Sequence, residues 1–254
     1  MVNIIQLSVL NDNYIYLIHD PVSGETAVVD PAIAQPVLDT LNNYGWTLNY
    51  IFNTHHHWDH VGANLELKEK TGCLILASEA DQSRIPGIDK KLKQGDEIKL
   101  GNQFVNVFET PGHTLGHIVY HFPDSNALFC GDTLFSMGCG RLFEGSAEQM
   151  WHSLQQLKDL PKETQIYCAH EYTQANGKFA LTIEPDNRLL QQRTRQVKLL
   201  RNHKKPTIPC TLELELATNP FLRENSPEIQ KSIGMAGQPM VEVFRKIREL
   251  KDHF

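Results

Sequence analysis

Short apolar runs, set apart by glycine, proline, asparagine and aspartate, recur through roughly the first 170 residues. They are "YIYLI" (14–18), "TAVVD" (26–30), "YIFNT" (50–54), "CLILA" (73–77), "QFVNVFET" (103–110), "HIVYHF" (117–122), "ALFCG" (127–131) and "QIYCA" (165–169). All are rich in β-branched and aromatic residues, and each predicts a strand. Helical periodicity fills three of the gaps. "AIAQPVLDTLNNYG" (32–45) and "GANLELKEKTG" (62–72) end on glycines suited to a C-cap. "SAEQMWHSLQQLKDLP" (146–161) opens on Ser146 as N-cap, with Gln149 at the reciprocal capping-box position. Strands outnumber helices, which predicts a mixed α/β architecture with helix-covered sheets rather than a regular βαβ alternation. Beyond about residue 172 the strand pattern fades. "FALTI", Asp186 to Lys205 and "MVEVFRKIRELKDHF" read as helices, broken by Pro206, Pro209 and Pro220. The expected division is an α/β domain over 1–172 and a mainly helical domain over 173–254.

Composition narrows the picture. Hydrophobic residues make up 41% and charged residues 21% of the 254, which is ordinary globular usage and argues against disorder. The net charge of −6 disfavours a general nucleic-acid or membrane-surface binder. Cys73, Cys130, Cys139, Cys168 and Cys210 are odd in number, widely spaced and without a CxxC pair, as expected for reduced thiols in the cytoplasm. The opening "MVNIIQLSVLNDNY" has no basic segment of a secretory signal, and no run approaches the ~18 apolar residues of a membrane helix.

One stretch carries chemistry. "NTHHHWDHVG" (53–62) packs four histidines and an aspartate into ten positions directly after a strand. Protonated imidazoles repel one another, so crowding them needs a reason, and a divalent cation that keeps them neutral supplies one. If residues 54–60 continue the strand as an extended loop, His55, His57 and Asp59 share one side and His56 and Trp58 the other. His60 then turns in as a helix begins near Gly62, and His56 is a spacer. Three later stretches place donors after strands: His113 in "TPGHTLGH", Asp132 in "FCGDT" and His170 in "CAHEY". Strand C-termini are where α/β folds gather their sites. Seven donors exceed the four of one tetrahedral zinc, which points to two metals sharing one carboxylate. Nitrogen and oxygen donors suit zinc, iron and manganese alike. Cys130 and Cys168 lie nearby but belong to strand runs and read as buried structural thiols.

These motifs resemble the metallo-β-lactamase superfamily, and more closely the glyoxalase II (hydroxyacylglutathione hydrolase) family. "THHHWDH" (54–60), Gly112-His113, Gly131-Asp132 and Ala169-His170 match the superfamily pattern in order and spacing. "DNYIYLI", "FCGDTLFSMGCGRLFEG", "AHEYT", "NPFLR" and "RKIRELKDHF" match the narrower family. The resemblance spans nearly the whole chain. It implies an αββα sandwich of the α/β class followed by a mainly helical C-terminal domain. It implies that His55, His57 and His113 hold one metal, that Asp59, His60 and His170 hold a second, and that Asp132 bridges them. Two divalent ions are expected, zinc first, with iron or manganese as alternatives. Asp59 has a second role open to it, orienting the nucleophile. The implied reaction is hydrolysis of S-(2-hydroxyacyl)glutathione, typically S-D-lactoylglutathione, to a hydroxy acid and glutathione, the second step of methylglyoxal detoxification.

The substrate contacts implied by the same resemblance are Arg141, Phe143, Tyr172, Arg248 and Lys251. In the last helix Met240, Val243, Phe244, Ile247 and Leu250 form an apolar stripe, with Arg248 and Lys251 at its border. Animal members of the family often carry Lys and Tyr where this chain has Arg141 and Phe143, and a phenylalanine cannot donate a hydrogen bond, which leaves stacking or van der Waals contact. Other readings keep the fold. A nucleic-acid-processing enzyme would use the seven Lys and Arg between Arg188 and Lys205 as a phosphate stripe. A glutathione persulfide dioxygenase would use one iron. A metal-stabilised module without catalysis ranks last, because seven donors exceed a closed structural site. The expected protein is a cytoplasmic monomer that binds a small glutathione thioester, with no nucleic-acid or membrane partner.

Overall fold

The computed structural model describes residues 1–254. The chain forms two compact units, Met1–Glu109 with Leu115–Gly131, and Thr110–Thr114 with Asp132–Phe254.

The first unit runs β1 (Asn3–Val9), β2 (Asn13–His19), β3 (Glu25–Val29), α1 (Gln35–Tyr44), β4 (Thr47–Phe52), α2 (Trp58–Val61), α3 (Asn64–Thr71), β5 (Leu74–Ser78), β6 (Lys90–Leu92), β7 (Glu97–Leu100), β8 (Gln103–Glu109), β9 (Ile118–Phe122) and β10 (Ala127–Gly131). β1, β2 and β3 pair antiparallel, whereas β3, β4, β5 and β6 pair parallel. The parallel half contains true βαβ crossovers through α1 and α2–α3, an arrangement the sequence pattern argued against. Both crossover helices end as predicted, on Gly45 and Gly72 in the left-handed conformation. β7 to β10 form an antiparallel meander.

Burial explains why some strands were legible. Every residue of β2 is buried, so its sequence is a continuous apolar run. Ile15 and Leu17 pack with Val37 and Leu41 of α1 and Leu67 of α3. The opposite face packs on the meander: Tyr16 meets Phe129 edge-on at 5.5 Å, and Phe52 stacks on Tyr120 at 5.0 Å. Helices, sheet and second sheet thus form successive layers, and each large side chain buried there contributes about 1.5–3 kcal/mol. The strands the sequence missed, β1, β6 and β7, are partly exposed and carry Asn, Gln, Lys and Glu.

The second unit contains the short hairpin β11 (Leu134–Phe135) and β12 (Gly138–Cys139), then α4 (Ala147–Lys158), β13 (Gln165–Cys168), α5 (Thr173–Ile183), α6 (Arg188–Asn202), β14 (Cys210–Thr211), α7 (Leu212–Thr218), α8 (Pro227–Ser232) and α9 (Met240–Asp252). The predicted capping box of α4 is complete, with Ser146 and Gln149 bonded reciprocally. On α9, Val243, Phe244 and Ile247 are buried as expected, but Met240 is exposed and Arg248 is itself buried. Arg248 therefore lies within the buried face rather than at its border.

A polar knot holds this unit. Glu215, fully buried, pairs with Arg193 and accepts from the Met137 N–H and the Asn219 side-chain amide, each at 2.9 Å. The Asn219 amide also donates to the carbonyls of Phe135 (3.1 Å) and Gly138 (3.0 Å). Together they fix the β11–β12 turn, where Met137 adopts a φ of 54°. Arg193 is thereby removed from the basic stripe read between Arg188 and Lys205. Glu215→Ala would leave a buried guanidinium uncompensated, and should cost about 3–5 kcal/mol in urea unfolding. A loss below about 1 kcal/mol would show that the turn is held by other means.

Candidate metal centre

In the first unit the donor tract follows β4, and its anchor is Asp30, one residue beyond β3. Asp30 has a φ of 50° and is buried. Its carboxylate accepts the Thr54 N–H (2.8 Å), the Thr54 hydroxyl (2.7 Å) and His60 Nδ1 (2.9 Å). Because the Thr54 proton points at Asp30, the Thr54 oxygen accepts from His55 Nδ1, at 3.0 Å. These partners assign the Nδ1–H tautomer to both His55 and His60 and make Nε2 the basic nitrogen of each. Donor atoms of Asp30, His55 and His60 lie within 4.8 Å of one another.

The neighbours complete this group. His55 Nε2 is 3.0 Å from His57 Nδ1, and His60 Nε2 is 3.6 Å from Asp59 Oδ2. The Asn13 side-chain amide donates to Asp59 Oδ2 at 2.9 Å. Two nitrogens bound to one tetrahedral zinc at about 2.0–2.1 Å would stand about 3.3 Å apart, close to the His55–His57 separation. Neutral imidazoles of fixed tautomer beside a carboxylate fit a divalent cation. One expectation needs correction: Asp59 and His60 sit on the helical turn α2, not on an extended loop. The turn brings Asp59 and His60 side by side, which a period of two would have kept on opposite sides. His56 does face elsewhere, toward buried Asp81 at 3.0 Å, a carboxylate shared with Arg84.

The second unit gathers the remaining donors around Asp132. His113 Nε2 lies 3.4 Å from Asp132 Oδ2, and His170 Nε2 lies 3.4 Å from Asp132 Oδ1. One carboxylate thus faces two imidazoles, one per oxygen. His113 Nδ1 donates to the Arg141 carbonyl at 2.8 Å, which again makes Nε2 the basic nitrogen. Close approach demands glycine at Gly140, where a Cβ would stand 2.0 Å from the Asp132 carbonyl oxygen. Tyr172 stacks on His170 with ring centroids 4.8 Å apart.

A cavity of about 380 Å³ in this unit is lined by His113 and Asp132 together with all five predicted substrate contacts, Arg141, Phe143, Tyr172, Arg248 and Lys251. Phe143 is largely exposed and meets the His113 ring edge-on at 5.2 Å. Arg248 donates to the Cys139 carbonyl (2.9 Å) and to Asp252 (2.8 Å). Burial, then Arg248 and Arg141, hold the Lys251 ammonium below the ordinary lysine pKa. Burial pushes the Cys139 thiol up to about 11 and the Cys168 thiol to about 12, so neither is a nucleophile, and Cys130 is equally buried. A larger cavity of about 820 Å³ lies around Glu184 and Arg223, but those two groups pair with each other at 2.6 Å and no predicted site residue lines it. Sequence reading overlooked Asp30, Asn13, Cys139, Asn176 and Asp252. Only Asp30, closing "TAVVD" at a strand end, and Asp252, four residues beyond Arg248, carried a usable signal.

Comparison with known proteins is consistent along the whole chain. The metallo-beta-lactamase superfamily model matches residues 10–170, and the hydroxyacylglutathione hydrolase C-terminus model matches residues 171–254. A hydroxyacylglutathione hydrolase of Methylococcus capsulatus is 57% identical over 254 residues, covering 100% of this chain and 99% of that protein. One from Rhodospirillum rubrum is 53% identical, covering 98% and 97% respectively. The crystal structure of ETHE1 from Myxococcus xanthus shares 26% identity with a TM-score of 0.69, covering 96% of this chain and 95% of that one. The fold is therefore the metallo-beta-lactamase fold, of the α/β class, with an added helical C-terminal region, and its histidine and aspartate donors indicate divalent metal. The chain belongs to the hydroxyacylglutathione hydrolase family.

Proposed function

We propose that the protein hydrolyses the thioester of S-(2-hydroxyacyl)glutathione, with S-D-lactoylglutathione as the representative substrate, to a 2-hydroxy acid and glutathione. The observation that carries this reading is a single cavity lined both by His113 and Asp132 and by three cations, Arg141, Arg248 and Lys251. An anionic peptide arm and a reacting carbonyl fit such a cavity together. In this reading His55, His57 and His113 hold one divalent ion, Asp59, His60 and His170 hold a second, and Asp132 serves both. The site takes zinc, with iron and manganese acceptable to the same donors. When bound, such ions lower the pKa of water from about 15.7 to about 7 and so supply a nucleophile at neutral pH.

The chain's own residues do the rest. Asp30 and the Arg141 carbonyl hold His55, His60 and His113 in the tautomers that ligation needs. Arg141, Arg248 and Lys251 attract a carboxylate of glutathione, and Tyr172 and Phe143 offer flat surfaces to the peptide arm. As the C–S bond breaks, the electron pair leaves on sulfur as a thiolate, a stable enough anion that no strong general acid is required. Residues 1–172 act as the catalytic domain and residues 173–254 as the substrate-binding domain, a division supported by the two family matches. Five buried cysteines outside any disulfide support a reducing compartment, the cytoplasm, and the protein is taken to act as a monomer. The nucleic-acid and single-iron dioxygenase readings are not favoured beside full-length relatives of one activity.

The primary test is loss of thioester absorbance with S-D-lactoylglutathione, run with metal analysis on the same sample; absence of turnover by metal-replete protein would sink the reading. Asp132→Ala should lose metal and activity together while circular dichroism stays native, and full metal content in that variant would contradict the shared-ligand role. Lysine is charged below its pKa, and that of Lys251 is lowered. KM for glutathione thioesters should therefore begin to rise at a lower pH than an ordinary lysine, near 10.4, would give. Lys251→Arg, which stays charged, should move that rise to higher pH; an identical KM profile would remove Lys251 from binding.

A further inference from the structure

Asp252 lies in the last turn of α9, four residues beyond Arg248. Its carboxylate accepts from Arg248 Nη2 at 2.8 Å and stands 3.6 Å from Arg141 Nε. The other terminal nitrogen of Arg248 is engaged by the Cys139 carbonyl, and its Nε is buried without a partner. The guanidinium also lies over the Phe221 ring, at 5.1 Å. Arg248 is thus held by three separate contacts. Two of the three cations that line the cavity, Arg141 and Arg248, thus have beside them a carboxylate that is not part of the lining, with its side chain 37% exposed.

That carboxylate works against simple anion affinity. Three cations alone would hold an anion more tightly than three cations and an aspartate. Coulomb energy scales with the product of the charges, so the penalty on a doubly charged group is about twice that on a single carboxylate. Discrimination is often obtained by such built-in repulsion rather than by added attraction. The competitors it would reject are thioesters carried on a phosphate-bearing arm, of the coenzyme A class.

We propose that Asp252 is a specificity-determining residue that tunes the Arg141–Arg248–Lys251 cavity to a single carboxylate and against phosphate-bearing thioester carriers. This rests on the reading of the cavity as the seat of the substrate's anionic arm.

The test uses metal-replete protein and two unreactive thioethers, S-methylglutathione and S-methyl-coenzyme A, as competitive inhibitors of S-D-lactoylglutathione hydrolysis at pH 7. Asp252→Asn should raise the ratio of Ki for S-methylglutathione to Ki for S-methyl-coenzyme A by about threefold or more, in line with removal of one partly exposed charge. Asp252→Ala should raise it as much, Asp252→Glu should leave it near the wild-type value, and the rise should shrink at high salt. If Asp252 served only to hold Arg248, both inhibitors would weaken together and the ratio would stay constant; that outcome, with an unchanged melting temperature, overturns the proposal. Wild-type protein that turns over the substrate while the variants keep the wild-type ratio removes only the role of Asp252. Wild-type protein without turnover removes the underlying reading instead.

Discussion

The carboxylate of Asp30 is the constraint on which the donor tract depends. Strands β3 and β4 are parallel neighbours, so their C-terminal ends emerge side by side and residue 30 meets residue 54 across one hydrogen-bond spacing. From there one buried anion sets two tautomers, directly for His60 and through the Thr54 hydroxyl for His55. Without it each imidazole would be free to protonate either nitrogen, and half of those choices would turn an N–H toward the metal position. The left-handed backbone at Asp30, of order 1–3 kcal/mol for a non-glycine residue, is tolerable because the three accepted hydrogen bonds over-determine it. Gly131 meets the same pressure from the other strand group, since a Cβ there would stand 2.3 Å from the Thr54 hydroxyl oxygen.

The second constraint is electrostatic and local. A chain of net charge −6 binds an anion only if cations are concentrated where the ligand sits. Here that concentration is stabilised from within. Arg248 is held by a carbonyl and a carboxylate, and the Lys251 ammonium lies 5.4 Å from the Phe179 ring centroid. Burial, and then its two arginine neighbours, work against the charge of Lys251 and lower its pKa. In the proposed function a bound carboxylate would relieve that opposition, so that a preorganised but uncomfortable cluster would favour the occupied state.

What could be read from the sequence follows the same physics. Strands buried on both faces, such as β2 and β10, were legible because burial writes a continuous apolar run. The capping glycines and the Ser146–Gln149 box were legible because they act within a few residues. β1 and β7 escaped because one side of each is wet, and Asp59 was misplaced because a single helical turn leaves no periodicity. The seven proposed donors were read from their positions in or after strand ends. Asp30 and Asn13 were not, because their partners lie 24 and 46 residues away and only the tertiary fold brings them within reach; Asp252 has a partner four residues away in Arg248, a spacing that sequence reading could have used. Arg193 read as surface charge for the same reason: its partner Glu215 is 22 residues distant and its burial is invisible in a run of basic residues.

That buried pair also shows why polar groups persist in a core that leucines would fill. An ion pair so deeply placed adds little net stability compared with apolar replacement, but it fixes geometry. Glu215 and Asn219 bind backbone groups of the β11–β12 turn from both sides, holding Met137 at a left-handed φ that packing alone would not select. The turn in turn presents Phe135 to the His170 and Tyr172 rings and the Cys139 carbonyl to Arg248. An apolar core could be as stable and still let this turn settle in several conformations, each moving a wall of the cavity. The polar knot therefore acts on the site through uniqueness of the turn.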